Sequence, residues 1–108
     1  MDVVKRGEVW LVPLDPAVGS EIRKTRPCVI ISPDQLNGVS RSVLIAPMTT
    51  GGYITRFRVE IDFAGKRGLI LPDQIRAVDK VRLIKHLGCL NNADLARLLD
   101  TIAVLFKP

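Results

Sequence analysis

Three short stretches of this chain carry the residue types that handle phosphate. Arg23, Lys24 and Arg26 fall within four residues; Thr49 and Thr50 end an apolar run; Gln74, Arg76 and Asp79 share a third stretch. An arginine fork donates two parallel hydrogen bonds to two oxygens and keeps its charge as negative charge grows on a phosphorane, and a threonine hydroxyl adds a neutral donor. Glu21 is the local counterion for the first cations, and Ser20 precedes it. Two plainer readings stand beside this one. Residues 15–25 can be a solvated loop, and Arg76 with Asp79 can be a structural ion pair while the threonines merely end a strand.

Other chemistries find less support. The one histidine, His86, lies between Lys85 and Leu87 with no spaced partner, which fits a structural or surface role better than a triad or a metal. Cys28 and Cys89 are too few and too far apart for a disulfide framework or a zinc site, so both are read as buried, reduced thiols. The glycines lack the spacing and the following Lys-Ser/Thr of a nucleotide-binding loop. No metal or cofactor is expected. Aromatic residues make up 5% of the chain. Trp10 and Phe106 are expected in the core, leaving Tyr53, beside Gly51 and Gly52, as the residue to stack on an unpaired base.

The elements that must position these groups are mostly strands. Residues 7–14 read as a first strand, 27–32 as a second, and 42–48 as a third that delivers Thr49 and Thr50 to its end. Pro27 biases Arg26 toward an extended backbone. The unbroken apolar run Cys28-Val29-Ile30-Ile31 predicts burial on both faces. Asn37-Gly38 marks a turn. In 56–62, Phe57, Val59 and Ile61 alternate with Arg58, Glu60 and Asp62, the period of a half-exposed strand. Lys66-Arg67 is expected to turn between Gly65 and Gly68 into strand 69–71, followed by an extended stretch over 73–79 and a last strand over 82–90. Asn91 or Asn92 caps a helix whose stripe is Leu95, Leu98, Leu99, Ile102, Leu105 and Phe106. Short strands punctuated by Gly and Pro predict a mainly β fold, a small, strongly bent antiparallel barrel with the C-terminal helix packed on its side.

A chain of 108 residues corresponds to one domain, 1–108, and its 47% hydrophobic content is that of a folded protein. The net charge of +5 makes polyanions the first partners to consider, nucleic acid before membrane. Residues 1–58 hold eight Lys/Arg against five Asp/Glu, and 59–108 hold eight against six, so the excess belongs to the folded body. No apolar leader or membrane-length run is visible, and a cytoplasmic protein is expected.

Arg6-Gly-Glu-Val-Trp-Leu-Val, Gly19-Ser-Glu with Thr25-Arg-Pro-Cys-Val-Ile-Ile-Ser, and Asp73-Gln-Ile-Arg-Ala-Val-Asp closely resemble, in order and spacing, the motifs of the MazF/PemK toxin family. The resemblance covers nearly the whole chain. It implies a homodimeric SH3-like barrel, shared with the gyrase-poisoning CcdB toxins. It further implies a metal-independent, sequence-selective endoribonuclease held inactive by an acidic antitoxin. Carried over by motif, the family's cleavage pair falls on Arg26 and Thr49, while Thr50 stands where some members have serine. The arginine and aspartate of the PemK/Kid branch fall on Arg76 and Asp79. That branch has a loop histidine where this chain has Ser20, which removes the most natural proton shuttle; Glu21 follows the family and is a candidate to contact substrate or orient Arg26.

The implied reaction is attack of an RNA 2′-hydroxyl on the adjacent phosphorus. Arg26 stabilises the phosphorane, Thr49 holds a non-bridging oxygen, and Glu21 and Asp79 are the available bases. Ser20, Glu21, Arg23, Lys24, Thr50, Tyr53 and Gln74 are the expected substrate contacts. Two other classes share the barrel or the charge: a CcdB-like gyrase binder, which needs no phosphate-facing Arg and Thr, and a module that binds single-stranded RNA without cutting it.

Overall fold

A computed structural model describes residues 3–108. Its strands are β1 (Glu8–Pro13), β2 (Thr25–Ile30), β3 (Ser42–Thr49), β4 (Val59–Phe63), β5 (Lys66–Ile70), β6 (Arg76–Asp79) and β7 (Lys85–Cys89). One helical turn, α1 (Asp34–Asn37), precedes β3, and the helix α2 (Asn92–Phe106) ends the chain. The strands form one antiparallel sheet in the order β4-β5-β3-β2-β1-β7, with β6 also on β3.

Strand β3 organises the curl. One edge pairs with β2 from Cys28↔Pro47 to Ile30↔Ile45. The other edge is divided, with β6 taking Ser42 to Ile45 and β5 taking Met48 and Thr49. The changeover falls at Pro47, which has no N–H to give a ladder; its carbonyl accepts from Leu71 N at 2.8 Å. Gly68 lets β5 come in close, since a Cβ there would meet the Thr49 carbonyl oxygen at 3.2 Å. The sheet bends into a half-barrel whose two ends approach without pairing. Phe63 of β4 lies against Gly88 of β7, where an added Cβ would stand 3.2 Å from the ring and φ is +147°.

Both sheet faces are covered. Val9, Val29, Ile31, Ala46, Met48, Val59, Ile61 and Ile70 pack with Leu98 of α2 on one side. Val12, Leu14, Cys28, Ile30, Val43, Ile45 and Val78 pack on the other. Residues 28–31 are therefore buried at every position, as their unbroken apolar run predicts. Asn91 caps α2, its Oδ1 accepting from Asp94 N at 2.8 Å.

Several expectations are corrected. Residues 34–37 form a helical turn because Asn37 is buried, its Nδ2 donating to the Ser32 carbonyl at 2.9 Å. Ala64 and Gly65, with φ of 52° and 79°, make the β4–β5 turn, so Lys66 and Arg67 belong to β5. The 73–79 stretch starts as a 3-10 turn, Pro72–Gln74, before extending at Arg76. A second 3-10 turn, Lys80–Arg82, delays the last strand to Lys85. Phe106 is 72% exposed rather than core, Cys89 is exposed rather than buried, and Trp10 is half-buried with its ring stacked 5.0 Å from His86. Phe106 ends α2 with no neighbour to bury it, and Cys89 points away from the core at a strand end.

Leu98 is the one residue of α2 that is fully buried. Leu98→Ala is expected to destabilise the fold by about 2–5 kcal/mol, through lost transfer energy and the cavity left behind. Urea melts of the two proteins check this, and a change below about 0.5 kcal/mol would mean that the helix is not anchored there.

Candidate active site

Partners across an antiparallel ladder point to the same face. Continued two residues past Cys28↔Pro47, the β2–β3 register sets Arg26 opposite Thr49. Val12↔Arg26 and Ile45↔Arg76 place both arginines on the face of the sheet that carries Val12, Cys28 and Ile45. Arg82 reaches the same region from the 3-10 turn behind β6. Burial pushes the Cys28 thiol up from 9.0 to about 12, although the positive charges of Arg76, Arg26 and Arg82 each pull it down.

The guanidiniums are held by backbone carbonyls of one segment, 13–24, the last residue of β1 and the loop that joins it to β2. Arg26 Nε donates to the Arg23 carbonyl at 2.9 Å, and Arg76 Nη1 to that of Leu14 at 3.1 Å. Arg82 Nη2 donates to the Pro13 carbonyl and, at 3.5 Å, to that of Asp15. Among the described residues no carboxylate forms an ion pair with any of the three. The nearby acids are engaged elsewhere. Glu21 Oε1 accepts from Val18 N at 2.7 Å, Asp15 Oδ2 from Lys24 N at 3.2 Å, and Asp79 Oδ1 from Val81 N at 3.0 Å. Asp73 pairs with Arg58 at 3.3 Å. The structural Arg76–Asp79 ion pair of the plainer reading is not formed.

Two clefts receive the candidate residues. The first, about 330 Å³, fills the gap where the half-barrel fails to close: Pro27, Met48, Phe63 and Leu87 floor it, and Arg26, Thr49, Thr50, Lys66 and Arg67 stand around it. The second, about 490 Å³, brings Glu21, Gln74 and Arg76 together beside the loop, where Gln74 Oε1 accepts from Ile22 N at 3.4 Å. Asp79 lies in neither; it borders a third depression with Arg41 and Lys80. Ser20, Arg23 and Lys24 are exposed on the loop, and Tyr53 is 85% exposed on another. Lys66, Arg67 and Arg82 were not among the sequence candidates. Arg82 left no signal because only the 3-10 turn at 80–82 swings it back toward β1.

No three His, Cys, Asp or Glu side chains among the described residues gather as a metal site. What the arrangement offers is a fixed, uncompensated positive surface with a threonine beside it, the donor set of a phosphoryl site.

The description of the PemK-like, MazF-like toxin family of type II toxin-antitoxin systems matches residues 5–106, and the chain belongs to that family. It is 42% identical over 81 residues to the endoribonuclease PemK of Escherichia coli, a match covering 70% of this chain and 61% of PemK. It is 35% identical over 107 residues to the endoribonuclease MazF9 of Mycobacterium tuberculosis, covering 89% of this chain and 90% of that one. The crystal structure of MazF from Deinococcus radiodurans superposes with a TM-score of 0.85 at 25% identity, covering 97% of each chain. A MazE-MazF complex from the same organism has a TM-score of 0.73 at 26% identity, again over 97% of each chain.

The two thiols offer a direct test of the geometry. Near pH 8 Cys89 is expected to react readily with a thiol reagent, while Cys28, buried and protonated, reacts only on unfolding. Two thiols of equal reactivity in the native protein would show that the floor of the site is open.

Proposed function

We propose that this chain is the toxin of a type II toxin-antitoxin pair and cleaves single-stranded RNA by attack of a 2′-hydroxyl, without a metal ion. The observation that carries the reading is the un-neutralised trio Arg26, Arg76 and Arg82 on the face that Thr49 shares. The 2′-oxygen bonds to the adjacent phosphorus and gives up its proton; the 5′-oxygen departs and takes one up. The products are a 2′,3′-cyclic phosphate and a 5′-hydroxyl, and DNA is spared because it lacks the nucleophile.

Arg26 and Arg76 stabilise the phosphorane, and Thr49 donates to a non-bridging oxygen. Glu21 shares a cleft with Arg76, and because Asp73 in the same cleft is paired with Arg58, we assign the 2′-proton to Glu21. Asp79, whose carboxylate holds the 80–82 turn, supports the site from behind. Arginine, with a pKa above about 12, is a poor acid at neutral pH but can still protonate a strongly basic leaving oxygen. Ser20, Arg23, Lys24, Thr50, Tyr53 and Gln74 border the path of the RNA. The relatives' names support the activity, the MazE-MazF complex supports a protein partner, and the uncompensated cations of this face suit an acidic antitoxin. We place the protein in the cytoplasm as a homodimer, a state that helps so short a chain bury a shared face. Among the described residues no helix is long and apolar enough to cross a membrane.

Labelled RNA incubated with the protein in excess EDTA is expected to be cut at full rate; loss of cleavage restored by Mg²⁺ would overturn the metal-free mechanism. Arg26→Ala is expected to slow single-turnover cleavage about 10²–10³-fold with a smaller loss of RNA binding, since it removes charge stabilisation that develops in the transition state. Arg26→Lys, which keeps charge but loses the fork, should remain clearly impaired. A folded Arg26→Ala protein cutting within about threefold of wild type would take Arg26 out of the reaction.

A further inference from the structure

We propose that Arg82 is a positioning residue for RNA cleavage, bracing the 13–24 loop against the β6 side of the sheet so that its substrate-facing residues are held in place. The inference rests on the reading of this face as an RNA site. Arg82 donates to two loop carbonyls, those of Pro13 and Asp15, which flank the Leu14 carbonyl that takes Arg76. Three successive carbonyls are thus fixed by two guanidiniums from a distant part of the chain. The two are not equivalent. Arg76 lines the cleft with Glu21 and Gln74, whereas Arg82 lines neither that cleft nor the one beside Arg26 and Thr49.

The brace is itself built. Asp79 Oδ1 accepts from Val81 N at 3.0 Å, capping the turn that carries Arg82, and Lys80 N donates to the Arg41 carbonyl at 2.8 Å, fixing the turn to the residue before β3. At the loop's far end, Leu14 N donates to the Lys24 carbonyl at 2.9 Å, and Lys24 sits at φ 71°, a left-handed conformation that a lysine adopts only when its surroundings hold it. Arg23, Lys24 and Glu21 ride on the segment closed in this way. Losing Arg82 releases the loop carbonyls while leaving Arg26 in its ladder with Val12. Because the proposed base Glu21 and the Arg23 carbonyl that holds the Arg26 guanidinium lie on this segment, the damage falls on the chemical step as well as on substrate binding.

Hydrogen exchange on the whole protein, with steady-state cleavage of a labelled RNA, tests this. In Arg82→Ala, amides of residues 13–24 are expected to exchange at least about tenfold faster while those of β3 and α2 are unchanged. kcat should fall and KM rise, each by about tenfold, and the slope of log binding constant against log salt should match wild type. Arg82→Lys, which still carries a donor long enough to reach a loop carbonyl, should recover part of the protection, and it stands in if Arg82→Ala does not fold. Unchanged loop exchange would overturn the brace. A salt slope reduced by about one would also overturn it, because Arg82 would then be a direct phosphate contact. If the wild-type protein cuts no RNA, the reading of the site fails, while the exchange experiment still decides whether Arg82 holds the loop.

Discussion

The carbonyl groups of one loop, together with the sheet beneath it, hold three guanidiniums on one face with no carboxylate to neutralise them. Like charges brought together in a partly buried place repel, and the loop carbonyls answer that repulsion with dipoles that leave the net charge intact. A carboxylate would have stabilised the cluster more strongly and cancelled its field. The chain instead turns one oxygen each of Glu21, Asp15 and Asp79 to a backbone amide, which shapes the loop and the 80–82 turn. The resulting surface is positive before any substrate arrives, so no donor has to reorganise as charge develops.

That arrangement needs β3. Among the described residues it is the only strand that pairs with β2, β5 and β6, and so the one that brings Arg26, Thr49 and Arg76 to one face. Pro47 ends one partnership and begins the next, and Gly68 admits β5 at the distance the bend requires. The apolar cleft beside Arg26 follows from the same bend, because a half-barrel curled this far leaves a gap between Phe63 and Leu87. Scaffold and site therefore share one origin.

Much of this was legible in the sequence. The apolar run 28–31 is buried throughout as read; the alternating strand read over 56–62 forms only as Val59–Phe63, because 55–58 is a turn, and the capped helix forms with Leu98 rather than Phe106 as its buried anchor. The cations before Pro27 and the threonines after Met48 marked two strand ends, which the β2–β3 register brings face to face. What was missed lacks a period. The turns at 34–37, 72–74 and 80–82 are too short to show one, and they are set by single contacts such as Asn37 to Ser32 and Asp79 to Val81. Arg82 was hidden for that reason. Cys89 and Phe106 misled in the opposite direction, since an apolar residue type states a preference for burial that the end of a strand or helix does not always satisfy.

A concentrated charge is tolerable only where the rest of the fold is strong enough to hold it. Here the sheet buries side chains on both faces, and the residues directly beneath the cations, Cys28, Ile30 and Ile45, are completely enclosed. Cys28 is the most telling of them. The charges of Arg76, Arg26 and Arg82 favour ionisation of its thiol, yet burial outweighs them and keeps it protonated, so no thiolate offsets the charge above it. The apolar core thus does more than hold the strands together: by keeping the one ionisable group beneath the arginines neutral, it preserves the field that faces the solvent.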